Sequence, residues 1–222
     1  MTKIFIDIET IPVQNEAWID EIKAGVKPPA THKKQETIDK WYAEEGVEAG
    51  NEAVAKTSFN GGLGQIFCIS TAATAEPTVF TRRDLSLEAE AEMLTVFAAT
   101  MREIAKLRPI HFVGHNISGF DLRFLYHRFV VHGINPGFML PYNDASWKGS
   151  YTDTMELWAG YRDKVSLENL CKYLNIESPK TELDGSKVWE YVQAGRYQEV
   201  QDYCKADVEA LRKVYNRLTF NN

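Results

Sequence analysis

Asp7 and Glu9, in the stretch KIFIDIET (Lys3–Thr10), are the residues whose types and spacing most directly suggest chemistry. Ile4, Phe5, Ile6 and Ile8 around them have the apolar, largely β-branched character of a strand buried on both faces. Alternate residues of a strand point to one side, about 6.5–7 Å apart. Both carboxylates therefore project together at the end of that strand. Two like charges in a poorly solvated place are costly unless a cation compensates them. A divalent metal is one expectation for this dyad; acids simply facing water at an exposed strand end is the other.

Two later features could complete such a site. Tyr203 and Asp207, in YCKADVEAL, are four residues apart and share one helical face, with Cβ atoms about 5–6 Å apart. Val200, Cys204, Leu211 and Val214 mark the apolar side nearby, which sets that face at the edge of the core. Such a pair is common on exposed helices and gains weight only from its company. Asp121 follows Gly119 at the start of a helix, where capping and the helix dipole favour any acid. Phe120 reads as core, and Asn116, just past a strand end, could close an Asx turn.

The elements that must position these residues form a mixed series. After the first strand, Pro12 ends regular pairing, and residues 14–24 read as a short helix with Trp18, Ile19 and Ile22 on its apolar face. Residues 25–34 are a Pro-rich loop, and 36–56 have the composition of a helix weakened by Gly46 and Gly50. The 12–60 segment is thus a helical insertion, either packed as a flap or mobile as a lid. Residues 65–73 and 78–81 read as a strand hairpin beside the first strand. A long amphipathic helix follows over 85–107, capped by Asp84 or Ser86, then a short strand at 110–113. A helix over 122–131, a long loop over 133–149 and a last short strand at 151–154 come next. Helices at 166–174, 186–194 and 196–219 close the chain. This order points to one α/β domain over residues 1–222, built on a mixed central sheet.

Composition narrows the function classes. A hydrophobic content of 44% and a charged content of 25% in 222 residues are ordinary for a water-soluble domain. No run approaches the ~20 apolar residues of a membrane span, and the N-terminus lacks a signal peptide pattern. Cys68, Cys171 and Cys204 are widely spaced and form no CxxC, so a reducing cytoplasm is the expected setting. A net charge of −6 argues against a protein that coats nucleic acid electrostatically. It leaves room for an enzyme that engages a strand end through metal ions. Arg82, Arg83, Arg123, Arg128 and Lys205 are candidates for a local basic groove. Trp18, Trp41, Tyr142 and Trp147 are candidate base platforms, with packing as the commoner role of such rings.

Taken in order, FIDIET, HNISGFD and YCKAD resemble the three exonuclease motifs of the DEDD superfamily. The likeness is greatest to the proofreading domain of family B DNA polymerases and its stand-alone phage and bacterial relatives, whose motifs read DxE, NxxxFD and YxxxD. SLENLCKYLNI (Ser166–Ile176) and DGSKVWEY (Asp184–Tyr191) are also similar to the approach to the third motif. The resemblance spans nearly all of the chain outside 12–60. It implies a ribonuclease H-like fold carrying a two-metal nuclease. Asp7, Glu9 and Asp207 would hold one Mg²⁺ or Mn²⁺, Asp7 would also reach a second, and Asp121 would hold that second ion through water. Tyr203 would position the attacking water. The sister branch carries a histidine five residues before its last aspartate; Asp202 stands there, so Tyr203 assigns the chain to the tyrosine branch.

The resemblance further implies that backbone groups of Thr10 and Ile11, with Asn116 and Phe120, grip the terminal nucleotide. The expected substrate is a single-stranded or frayed 3′ end of DNA, hydrolysed to nucleoside 5′-monophosphates, with RNA or short oligonucleotides as the alternative. A proofreading role would require a separate polymerase or other replication or repair partner. A non-catalytic nucleic-acid-binding or polymerase-accessory module is the other reading; it expects lost acids, and all four are present.

Overall fold

The structure is a computed structural model that describes residues 1–74, 76–144, 148–160, 163–178 and 182–221. Its centre is a five-stranded mixed sheet. The strands are β1 (Thr2–Ile11), β2 (Gln65–Ala72), β3 (Thr78–Thr81), β4 (Ile110–Gly114) and β5 (Tyr151–Asp153), in the spatial order β3-β2-β1-β4-β5. β1 is antiparallel to β2 and parallel to β4, and β5 is parallel to β4. The expected hairpin of β2 and β3 forms, antiparallel, at one edge.

Alternation along β1 divides the core. Ile4, Ile6 and Ile8 pack on one face beneath α4 (Leu87–Leu107) and α5 (Asp121–Val131), among Leu94, Phe97, Met101, Leu122 and Phe129. Phe5 lies on the other face, under Val208, Leu211 and Tyr215 of α9 (Tyr197–Leu218). Each fully buried side chain of this size contributes about 1.5–3 kcal/mol, so β1 is committed to the sheet from both sides. Its acids are thereby placed on the α9 side. The β1–β2 register shifts beside Glu9: Glu9 faces Cys68, while Thr10 faces Ile66, which leaves Phe67 as an extra residue on β2. A bulge of this kind re-aims the chain and is favoured next to active sites.

The helical insertion differs from expectation in two ways. The 36–56 stretch is two helices, α2 (Gln35–Glu44) and α3 (Gly46–Ala55), because the chain breaks at Glu45–Gly46. In α1 (Glu16–Gly25), Ile19 and Ile22 are only half-buried and Trp18 is exposed, so its apolar face does not join the core. Trp41, by contrast, is buried. A 3-10 turn, Lys56–Phe59, ends the insertion against β1. Ser86 caps α4 by accepting from the Ala89 N–H at 3.2 Å, and Asp84 instead accepts from Ser86 N. A short helix, α6 (Thr154–Ala159), follows β5 without having been expected; α7 (Leu167–Leu174) and α8 (Val188–Gln193) lead into α9.

Two candidates for a basic groove are interior residues. Arg128 is 1% exposed, and its Nε and Nη2 donate to the Glu90 carboxylate at 2.9 and 2.6 Å. Arg82 is also buried and donates to backbone carbonyls of Ile66, Asp84 and Ser86. Arg83 pairs with Glu92 and Lys205 with Asp202, which leaves Arg123 exposed on α5. Among the described residues, no helix is long and apolar enough to cross a membrane.

Candidate active site

Three separated segments bring their acids to the end of β1. Donor atoms of Asp7, Glu9 and Cys204 all lie within 4.8 Å of one another. Asp121, at the first turn of α5, reaches them from the end of β4: its Oδ1 accepts from the Ile8 N–H, between the two acids of β1, at 3.2 Å. Asp207 sits one turn after Tyr203 on α9, close enough to raise the pKa of both Asp7 and Glu9. Tyr203 is hydrogen-bonded to Asp207. The five candidate catalytic residues thus meet in one place.

Their electrostatics follow from that crowding. Burial, then the charges of Asp207 and Asp121, push the Asp7 carboxyl well above the usual carboxylate range. Burial, then Asp7, Asp207 and Asp121, do the same to Glu9. Asp121 is pushed up to about 7, chiefly by burial and against the hydrogen bonds it accepts from Ile8 and its own amide. Burial pushes the Tyr203 phenol up, and Asp207 and Glu9 push it further. Four carboxylates that oppose one another's ionisation become favourable together when a divalent cation joins them. The donors are hard oxygens, which suit Mg²⁺ or Mn²⁺.

Beneath the acids lies a floor of thiols and a hydroxyl. Cys204 Sγ is 3.5 Å from Asp7 Oδ2 and 3.6 Å from the Asp7 carbonyl oxygen. Burial pushes its pKa up, so it stays a thiol and donates to Asp7. Across the β1–β2 ladder, Cys68 faces Glu9 and Ser70 faces Asp7, both fully buried.

Comparison with known families settles the class. A family model described as a predicted 3'-5' exonuclease related to the exonuclease domain of PolB matches residues 60–221. The chain belongs to this family. The family B DNA polymerase from the hyperthermophilic archaeon Pyrobaculum calidifontis has a similar fold, with a TM-score of 0.58 at 12% identity over 99% of this chain. That alignment takes in 24% of the polymerase, so the chain spans about a quarter of its length. The shared fold is ribonuclease H-like, with a mixed sheet flanked by helices. A search of curated protein sequences finds no match.

In this member of the exonuclease family, the central motif hangs on a residue that sequence reading passed over. Asp153, buried at the end of β5, accepts from Asn116 N at 2.9 Å and from Ser118 N at 3.3 Å. It also accepts from Met155 N at 3.0 Å, capping α6. Asn116 is held at φ 56, a left-handed conformation that asparagine tolerates. The loop closes on itself so tightly that a Cβ on Gly119 would lie 2.6 Å from Asn116 Oδ1. Asp153 therefore fixes the loop that delivers Phe120 and Asp121. Asp153→Ala should lower turnover about tenfold or more, as loss of a supporting shell residue does. Rates on a labelled strand alongside thermal melting would check this; an unchanged rate in a folded variant would remove Asp153 from the site.

The candidate nucleotide-binding residues surround the acids unevenly. Asn116 is exposed and lines a cavity of about 390 Å³ with His115, Lys164 and Asn169. His115 itself is tied to Thr154 Oγ1 at 3.0 Å and the Val165 carbonyl at 2.8 Å, which makes it a packing residue. Thr10 Oγ1 is committed to the Ser58 carbonyl at 2.7 Å, and Ile11 is wholly buried, so these two offer backbone only. Phe120 is half-buried against Phe124. Of the aromatic candidates, Trp41 is core, Tyr142 stacks on Tyr126 with centroids 3.6 Å apart, and Trp147 lies outside the described residues.

Proposed function

We propose that this chain removes nucleotides one at a time from single-stranded or frayed 3′ ends of DNA, releasing nucleoside 5′-monophosphates. The observation that carries this reading is the convergence of Asp7, Glu9, Asp121, Asp207 and Tyr203 on the end of β1. Asp7, Glu9 and Asp207 would hold one Mg²⁺ or Mn²⁺; Asp7 and Asp121 would hold a second. Such ions, when bound, would neutralise charge at a scissile phosphate and make a water nucleophilic at neutral pH. The remaining work falls to the protein. A tyrosine hydroxyl ordinarily titrates near 10, and burial, then the charges of Asp207 and Glu9, push Tyr203 higher, so it keeps its proton. Tyr203 therefore orients Asp207 by donating its O–H and would orient the attacking water by accepting a hydrogen bond at its phenol oxygen, taking no proton from that water. Asp202, at the position of the sister branch's histidine, is exposed and paired with Lys205, which fits the tyrosine branch.

Residues 1–222 act as one exonuclease domain in this reading, with the insertion attached through Thr10 and Val13. The test is a time course on a 5′-labelled single strand with Mg²⁺, Mn²⁺ or EDTA. A ladder shortening from the 3′ end, lost in EDTA, is expected; cleavage that persists in EDTA or starts at the 5′ end would overturn the proposal. RNA and duplex DNA run in parallel decide the strand type. Tyr203→Phe should slow the reaction about ten- to a hundredfold by misplacing the nucleophile. An unchanged rate would take Tyr203 out of the mechanism.

A further inference from the structure

The 3-10 turn Lys56–Phe59 lies just outside the residues matched to the exonuclease family, yet it is built into the edge of the site. On the β1 side, Thr10 Oγ1 donates to the Ser58 carbonyl at 2.7 Å and Val13 N donates to Thr57 Oγ1 at 2.9 Å. On the α5 side, Arg128 Nη1 donates to the Gly61 carbonyl at 3.1 Å. Gly61 packs so near α5 that a Cβ there would lie 2.9 Å from the His127 side chain. Phe59 stands between these anchors on a backbone fixed from both directions, and still its side chain is 71% exposed. A single exposed apolar residue is ordinary; one on a turn tied to the strand that carries Asp7 and Glu9 asks for a ligand.

The ring's neighbour names the ligand. Its centroid lies 6.3 Å from that of Phe120, with the planes tilted by 59°. Phe120 directly precedes Asp121 and is backed by Phe124 at 5.4 Å. Tilted rings at this separation touch each other, so the exposed Phe59 extends toward solvent the aromatic surface that begins at half-buried Phe120. We infer that Phe59 is a base-stacking residue, and that with Phe120 it receives one nucleobase of the strand whose 3′ end lies at the carboxylates. This rests on the exonuclease reading. It also answers a charge problem: a chain of net charge −6 gains little from phosphate contacts. Stacking grips any base by its π face, whatever the sequence.

The test measures binding of 5′-fluorescein-labelled oligo(dT) by anisotropy, with Mg²⁺, in an Asp7→Asn background that spares the strand. Phe59→Ala should weaken binding about tenfold, the size of one lost base–aromatic stack, and Phe59→Trp should restore it. An abasic residue is then moved along the strand. With Phe59 present, affinity should fall about tenfold at one position; in Phe59→Ala the same abasic strand should cost nothing further. Equal affinity for Phe59→Ala, or a loss alike at every position, overturns the stacking role. Strand shortening by the unmodified protein is followed separately. Shortening with a flat abasic profile overturns the stacking role alone; a position-specific profile without shortening overturns hydrolysis and keeps the stacking role; neither binding nor shortening overturns both.

Discussion

Asp7→Asn is expected to abolish strand shortening, by about a thousandfold or more, and in the same protein to raise thermal stability in EDTA. The two effects share one cause. Asp7 is pushed well above the usual carboxylate range by burial and by Asp207 and Asp121, so its ionised form is disfavoured in the folded protein and not in the unfolded one. The folded state then holds the proton longer, and stability falls as pH rises above the unfolded value near 4. Each pH unit of that window costs about 1.4 kcal/mol, or about 3–5 °C of melting temperature in a chain of this length. Asparagine has no charge to resist. The variant's advantage should be small near pH 4 and grow toward neutral pH, while Asp121, pushed up to about 7 chiefly by burial, adds a loss common to both proteins. Added Mg²⁺ should stabilise the parent by mass action and the variant much less. Melting curves across pH, with EDTA and with Mg²⁺, would decide it. A variant no more stable than its parent in EDTA at neutral pH would mean that Asp7 is not opposed by its neighbours.

How far the sequence speaks depends on whether a residue's surroundings are local. KIFIDIET is legible because an isoleucine-rich strand with acids two apart dictates both its burial and the side on which the acids emerge. Tyr203 and Asp207 are legible as one helical face for the same reason. Cys204 is not: cysteine is among the most buried residue types and reads as core, and only folding brings its thiol to Asp7. Asp153 carries a local signal, an acid at a strand end that caps the next helix, but its grip on Asn116 and Ser118 spans more than thirty residues of chain. The bulge at Phe67 has no sequence signature, since β2 is buried throughout. Arginine type suggests surface, which misplaces Arg82 and Arg128.

Arg128→Met is expected to cost about 3–5 kcal/mol, because it strands the Glu90 carboxylate in the interior, and so to lower the melting temperature by about 10–15 °C. Glu90 is wholly buried, and four donors meet on it: Arg128 through Nε and Nη2, His132 Nε2 at 2.8 Å, and the Ile66 N–H at 2.7 Å. Burial alone would raise its pKa; the hydrogen bonds from His132, Arg128 and Ile66 and the charge of Arg128 hold it below the usual glutamate value. Its contribution is therefore complete above the unfolded pKa, about 4.3, and is lost as pH falls through the lower folded value. Urea midpoints measured from pH 7 downward should show this acid-side loss in the parent and not in Glu90→Gln. The double variant should be more stable than the two single losses predict, by about 1–3 kcal/mol, since each single change leaves the other charge unpaired. Simple additivity would mean that the pair is not coupled. The network also bears on catalysis. Ile66, held by Glu90, faces Thr10 across the bulge beside Glu9, and Arg128 holds the Gly61 carbonyl next to the turn that carries Phe59. A folded Arg128→Met protein should thus hydrolyse strands more slowly, through the bulge and the turn and not through the acids themselves.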